Sequence, residues 1–362
     1  MKRKIVIFVI ILIVAAAAYY FGSKIYKQHE FDKYAGHGFE YMGGYSSTDF
    51  KGYHVYDSDK LVKLDHKADF IIKNEKDMPV LDGAEACYPV YNAVALALYK
   101  DIDKIEKAAH IEEEKWWKSD TESDSEDKDW YGHNGKIVQF SNTVEGYSRL
   151  ILGDVDIFIG ARPSENQIKE AKKEKKEIVL TPVGSEAFVF FVEEDNPVDG
   201  LTSDQIRKIY HGDITNWKEV GGRDEKIVAF QRPEESGSQV MMKRFMGDVK
   251  MKKPDTVEME DSMAGVISEV KQYNNEAGAL GYTFKYFLTG LQQEKRVKIL
   301  AVDGVKPTAE NIASQKYPIV GPLVCAKIKG NKNPYVDKVI DFLRSEDGQE
   351  IVTKTGYGPI IK

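Results

Sequence analysis

Hydrophobic positions follow three patterns along the chain. The first is an unbroken apolar run, Ile5 to Phe21, directly behind Met1-Lys2-Arg3-Lys4. A basic start followed by such a run predicts a signal peptide or an N-terminal membrane anchor over residues 1–22. The second pattern is short apolar stretches bounded by turn residues. Val80-Leu81, Ile137 to Phe140, Val155 to Ile159, Ala187 to Val192 and Ile227 to Phe230 read as strands, with a turn and another strand over Ala277 to Thr283. Ala187 to Val192 has no polar residue and reads as a strand buried on both faces. The third pattern is helical spacing. Val90, Val94, Ala97 and Leu98 stripe a helix from Pro89 to Tyr99, with the proline suited to its first turn. Thr202 and Gln205 form a capping box for a helix that Gly212 ends. Further helices are read over Tyr147 to Leu152, over the charged stretch Glu165 to Glu177, and over Tyr335 to Arg344. Strands alternating with helices predict α/β sheets covered by helices.

Two segments break the alternation. Ser23 to Asp77 is polar and tyrosine-rich, and reads as a spacer over residues 23–77 with an appended element. Leu61, Val62 and Leu64, then Phe70 to Ile72, suggest short strands within it. Ile111 to Lys136 is acidic, and its polar part reads as a solvated loop.

The chain has 362 residues, 42% of them hydrophobic and 30% charged, which is globular with enough length for two domains. Net charge is −7, but the first 27 residues hold five bases and no acids. The remainder therefore has 46 basic against 58 acidic residues, a balance of −12. An acidic body argues against nucleic acid as a partner. It leaves an anion site open, because local dipoles act at short range while surface charge is screened. Two cysteines, Cys87 and Cys325, exclude a disulfide framework and leave one disulfide or two free thiols open. The histidines show no ligand spacing, and no P-loop, Gly-x-Gly-x-x-Gly or Gly-x-Ser-x-Gly motif is present. No enzyme, metal or cofactor is predicted.

The chemistry concentrates in Gln231 to Gly247. The strand Ile227 to Phe230 ends at Arg232-Pro233, and Ser236-Gly237-Ser238 opens a helix with apolar positions Val240, Met241, Phe245 and Met246. A helix start offers unpaired N–H groups and a positive dipole end. Ser236 and Ser238 add hydroxyl donors, Gly237 lets the backbone approach closely, and Arg232 supplies a planar fork that fits an oxyanion. Glu234 is placed to orient Arg232.

Arg-x-x-x-Ser-Gly-Ser resembles the signature of the phosphate-binding subunits of phosphate ABC transporters. Leu201 to Ile206, Ile209 to Gly212, Ile214 to Trp217, and the tail from Asp341 through Gly356-Tyr357-Gly358-Pro359-Ile360 are similar to the same family. The likeness runs from about Pro79 to the C-terminus, with gaps. It implies a two-lobed periplasmic-binding-protein fold of type II, with lobe 1 over 78–182, lobe 2 over 183–315 and a return to lobe 1 over 316–362. The ligand, inorganic phosphate or a similar tetrahedral oxyanion, would lie in the cleft and be handed to ABC permease subunits by a monomer on the outer face of the membrane or secreted. The alternative is a membrane-anchored anion sensor or surface-interaction protein reusing the fold.

The resemblance also implies a second anion-binding turn at Gly83 to Tyr88. Ala86, Cys87 and Tyr88 stand there, so backbone donors are expected without the family's hydroxyls. Thr143 lies near the family's phosphate-binding serine. The family's carboxylate at the end of the strand that finishes here at Ala161 is absent, and no lipobox cysteine follows the apolar run. Glu85 is the candidate replacement for the missing proton acceptor.

Overall fold

A computed structural model of the chain describes residues 45–46, 48–120, 131–132, 135–232, 234–253, 267, 278–293 and 295–361. The apolar run Ile5 to Phe21 lies outside them. Among the described residues no helix is long and apolar enough to cross a membrane.

In chain order, β1 (Tyr45–Ser46) precedes β2 (Leu81–Gly83), α1 (Tyr88–Leu98) and α2 (Ile102–Asp120). Then come β3 (Tyr131–Gly132), α3 (Asn142–Leu152), β4 (Ile157–Gly160), α4 (Glu165–Lys173) and β5 (Ile178–Glu193). After β6 (Gly200–Leu201) follow α5 (Ser203–His211), β7 (Val228–Ala229), α6 (Gly237–Met246), β8 (Ala279–Phe284), β9 (Val297–Ile299) and β10 (Ala301–Val302). The chain finishes with α7 (Ala309–Ala313), β11 (Val320–Ile328), α8 (Val336–Arg344) and α9 (Glu346–Thr355).

One sheet runs β2-β4-β11-β5-β8-β7, with β9 also paired to β5. The long strand β5 organises it. Ile178 to Ala187 pairs antiparallel with β11, and Phe188 to Phe191 pairs antiparallel with β8. From Val183 to Val192 every residue is buried, which is why the sequence there is almost continuously apolar. Two hydrophobic cores flank it. The first gathers Leu81, Tyr91, Leu98, Ile159 and Val183 with Leu323, Leu343 and Val352. The second gathers Phe188, Phe190, Ile206, Tyr210, Trp217, Leu280 and Tyr317. Among the described strands, only β5 and β11 pass from one to the other within the sheet. Pro322 on β11 sits beside a register shift at Leu323/Val324, the kind of irregularity where a strand tolerates proline.

The C-terminal tail locks onto β5. Ser185 and Gly358 exchange backbone hydrogen bonds, and Ser185 Oγ donates to the Pro359 carbonyl at 2.8 Å. A Cβ on Gly358 would lie 2.3 Å from Ser185 Oγ, so a side chain there would push that hydroxyl off its hydrogen bond to Pro359.

Several expectations are corrected. Residues 111–120 continue helix α2 instead of forming a loop, since Glu and Lys are good helix formers. Its buried Glu106 accepts hydrogen bonds from the N–H groups of Lys136, Ile137 and Val138. That anchoring leaves Ile137 to Phe140 with a single bridge, Val138 to Leu81, in place of a strand. Residues 48–77 form turns, not strands, and they are not a mere spacer: Phe50, Val55, Leu61 and Ile72 are buried in the first core. Ile72 exchanges backbone hydrogen bonds with the Leu98 carbonyl and Lys100 N–H at the end of α1. The two cysteines are free, buried thiols.

Candidate functional site

On the second core, β7 delivers Phe230 and Gln231 to a turn that begins at Arg232. The Arg232 N–H donates to Tyr282 Oη at 3.1 Å and to Gln239 Oε1 at 3.3 Å, and Tyr282 also donates to Gln239. This network fixes the backbone of Arg232 but leaves its head group alone. The side chain is 6% exposed, and Nε and Nη1 have no partner among the described residues. Ser236 caps α6, its Oγ accepting from Gln239 N–H at 3.3 Å. Gly237 and Ser238 occupy the first two helical positions, where no intrahelical carbonyl reaches an N–H. Ser238 is buried, and its Oγ is likewise without a partner among the described residues. A buried unpaired donor costs about 1–3 kcal/mol, and more when charged. Finding three together at a helix N-terminus points to an anion that would satisfy them.

The first core presents two further helix starts. β2 ends at Gly83, and a single turn, Glu85 to Cys87, leads into α1. Tyr357, from the C-terminal tail, holds this turn by donating to the Ala86 carbonyl at 2.6 Å, with its oxygen 3.6 Å from Cys87 Sγ. Burial pushes the Cys87 thiol up to about 12, so it stays neutral. Helix α3 begins at Asn142, whose φ of 61° is left-handed, a conformation asparagine tolerates. Asn142 Oδ1 accepts from Val144 N–H at 2.7 Å and caps the helix. Ser141 instead donates to the buried carboxyl of Asp82, which Arg149 also contacts at 3.1 Å. Thr143 therefore stands, buried, in the first turn of α3.

These three starts meet at one cavity. It leaves about 60 Å³ for the centres of water-sized atoms. That is more than a single water needs and leaves room for a small anion. Arg232, Ser236, Gly237 and Ser238 line one side, and Glu85, Ala86, Cys87, Asn142 and Thr143 line the other. Phe284, Pro322 and Leu323 supply apolar wall. The two sides touch: a Cβ on Gly237 would lie 3.0 Å from both Ala161 Cβ and Thr143 Oγ1. Glycine permits this approach.

Two expected residues lie elsewhere. Tyr88 turns into the first core, its ring 4.4 Å from that of Phe50 and its hydroxyl 2.7 Å from His54 Nδ1. Glu234 is exposed and ion-paired to Lys243, so it does not orient Arg232. Glu85 reaches the cavity and is 4% exposed, but one of its oxygens accepts from Thr48, which in turn accepts from Gln292 at 2.8 Å. Sequence reasoning missed Asn142, Tyr357 and, above all, Glu186. Glu186 lies on β5 where the strand passes between the cores, 7% exposed and lining the cavity. Its signal was present: Ser185-Glu186 is the polar interruption in an otherwise apolar run.

The fold has counterparts among known proteins. The family model for the PBP superfamily domain matches residues 80–347. The chain is 33% identical over 227 residues to the phosphate-binding protein PstS of Bacillus subtilis (strain 168), covering 62% of this chain and 70% of that one. It is 28% identical over 233 residues to the phosphate-binding protein PstS of Borreliella burgdorferi, covering 63% and 78%. Among solved structures, a putative phosphate ABC transporter substrate-binding protein with bound phosphate from Clostridium perfringens aligns with a TM-score of 0.51 at 22% identity. That alignment covers 78% of this chain and 99% of the other, a likeness of fold.

Proposed function

The chain belongs to the periplasmic-binding-protein superfamily and, within it, to the PstS-like proteins, and from that membership we propose that it captures inorganic phosphate outside the cytoplasm for an ABC importer. It binds and hands over; it does not catalyse. The observation that carries the reading is the trio of buried donors without partners among the described residues, Arg232 Nε and Nη1 with Ser238 Oγ, in a small cavity at the start of α6. In this reading Arg232 supplies charge and a bidentate contact, and Ser236, Gly237 and Ser238 supply hydroxyl and N–H donors. Thr143 adds a hydroxyl from the facing side, and the turn adds the backbone N–H of Ala86, that of Cys87 being held by the Ala84 carbonyl at 2.8 Å. Lobe 1 comprises residues 78–182, lobe 2 residues 183–315, and residues 316–362 return to lobe 1. The division of the two cores between Val183 and Ala187 on β5 supports the first boundary to within a few residues, whereas Tyr317 and Ile319 still pack in the second core, so the return to lobe 1 falls a few residues after 316. The protein acts as a monomer, held to the membrane or released by the segment over residues 1–22. Titration of the full chain with phosphate by calorimetry tests the reading. Saturable binding at one site, lost in Arg232→Ala, is the expected result; no binding by the wild-type chain would overturn it.

A further inference from the structure

We propose that Asp82 is a positioning residue for oxyanion capture, holding the Thr143 hydroxyl on the cavity wall through Ser141; the inference rests on the phosphate-capture reading. Asp82 does not line the cavity. It lies on β2, buried, and its two oxygens serve two of the three helix starts that meet there. Asp82 Oδ1 accepts from the Gly83 N–H at 2.7 Å, where β2 hands over to the turn Glu85 to Cys87. Asp82 Oδ2 accepts from Ser141 Oγ and from Arg149 Nη1, the latter at 3.1 Å. Arg149 also donates to Gln139 Oε1. One carboxylate thus joins the end of β2, the approach to α3 and the body of α3.

The consequence lies at the start of α3. A serine directly before a helix ordinarily accepts from an N–H of the first turn. Ser141 occupies that place and makes no such bond, because its hydroxyl is turned to Asp82. Asn142 takes over in a left-handed conformation, accepting from the Val144 and Glu145 N–H groups at 2.7 and 3.3 Å. The cap is thereby moved one residue along the chain. Thr143 lies between that cap and the N–H groups it serves, with its Oγ1 against Gly237. Without the tether, Ser141 can cap the helix in the ordinary way, and Asn142 and Thr143 shift with it.

The groups that face Asp82 are Arg149 and Glu145 on α3, Ser141 before it, Tyr91 on α1 and the Gly83 N–H. Burial outweighs Ser141, Arg149 and the Gly83 N–H, and lifts the carboxyl to about 6. Above that pH the carboxylate accepts from all three donors and the tether is complete. Below it the carboxyl carries a proton and its hold on Ser141 and Arg149 weakens, since hydrogen bonds to an ionised acceptor are the stronger ones.

Phosphate affinity is therefore measured by calorimetry on the full chain at pH 8 and pH 5, in wild type, Asp82→Asn, Thr143→Ala and the double variant. At pH 8 Asp82→Asn should weaken binding about tenfold, the worth of one hydrogen bond to a charged ligand. In the Thr143→Ala background the same substitution should cost less than about threefold, because the hydroxyl it positions is already gone. A merely structural role would cost the same in both backgrounds, and that result overturns the assignment. The ratio of wild-type to Asp82→Asn affinity should fall below about threefold at pH 5, as the wild-type carboxyl takes up its proton. The ionisation of phosphate itself cancels in that ratio. A ratio that does not change with pH, or equal binding by the two proteins at pH 8, also overturns the proposal. Should Asp82→Asn fail to fold, Ser141→Ala keeps the carboxylate and removes only the tether. It should weaken phosphate binding about tenfold by the same reasoning, and unchanged affinity refutes the proposal. Absence of phosphate binding in the wild type removes the capture reading and this inference with it. Wild-type binding that is indifferent to Asp82 and Ser141 sinks this inference alone.

Discussion

Replacing Arg232 by alanine should move affinity and stability in opposite directions. In the ligand-bound protein the guanidinium makes charged hydrogen bonds, each worth about 1.5–3 kcal/mol. Two unpaired nitrogens, Nε and Nη1, are available. Taking about 3 kcal/mol as a conservative sum gives roughly a hundredfold loss of affinity. In the unliganded protein the same nitrogens are buried without partners, a cost of at least about 1–3 kcal/mol that alanine removes. Lost packing of the arginine stem offsets part of that gain. The unliganded variant should therefore be as stable as wild type or up to about 1 kcal/mol more stable, read as an unchanged or higher urea midpoint. Phosphate at a hundred times the wild-type dissociation constant should add about 2.7 kcal/mol to the wild type and only about 0.4 kcal/mol to the variant. Calorimetry and urea unfolding with and without phosphate give all four quantities. A variant that binds phosphate equally well but unfolds more easily would show that Arg232 is a packing residue, and the site would lie elsewhere.

Among the described residues burial holds three carboxyls above their ordinary range, Glu106, Asp82 at about 6 and Glu186 at about 8. Each binds its proton more tightly in the folded than in the unfolded chain. Their contribution is therefore full below the ordinary carboxylate range and lost as pH rises through about 6 for Asp82 and about 8 for Glu186. Unfolding free energy should fall by a few kcal/mol between pH 5 and pH 9, and Glu186→Gln should flatten the upper part of that fall; a stability that climbs over the same interval contradicts the burial argument. Fractionation of cells expressing the tagged full chain should place it with the membrane or outside the cell, open to added protease, whereas a protected cytosolic protein would rule out export through residues 1–22.

The order of strands and helices was legible because period and punctuation agreed: the capping box at Thr202 and Gln205 and the left-handed Gly212 appear as read. The convergence of Arg232, Ser236, Gly237 and Ser238 on one cavity was legible because they lie close together on one strand–helix junction, so local chemistry and position coincide. Glu186 was not, because its role comes from three-dimensional convergence. It sits on a strand remote in sequence from every other lining residue, and a lone carboxylate in an apolar run looks like an irregularity. Tyr88 and Glu234 failed for the converse reason. Sequence adjacency put them beside true lining residues, but helical geometry turned Tyr88 toward Phe50, and the exposed turn gave Glu234 to Lys243. The segment 48–77 misled through composition, since its few apolar residues, spaced irregularly, fill the first core without forming strands.

Ligand binding is expected to couple to closure of the cavity. Gly237 at the start of α6 lies against Ala161 and Thr143 of the facing side, so the two walls are in contact in this conformation. In this conformation Arg232 Nε and Nη1, Ser238 Oγ and Glu186 Oε2 are buried without partners among the described residues. At about 1–3 kcal/mol for each of four groups, the empty closed form carries a penalty of roughly 4–12 kcal/mol that an open cleft would relieve with water. Shifting an equilibrium from 1:99 to 99:1 takes about 5.5 kcal/mol, which falls within that interval. Phosphate removes the penalty only where both walls reach it, so its differential affinity favours the closed form. The radius of gyration from small-angle scattering should accordingly be larger without phosphate and shrink on saturation. Gly237→Ala, whose methyl would press on Ala161 and Thr143, should bind more weakly and shrink less. If the wild-type radius is the same with and without saturating phosphate, β5 and β11 do not act as a hinge, and the unpaired groups must be satisfied without movement.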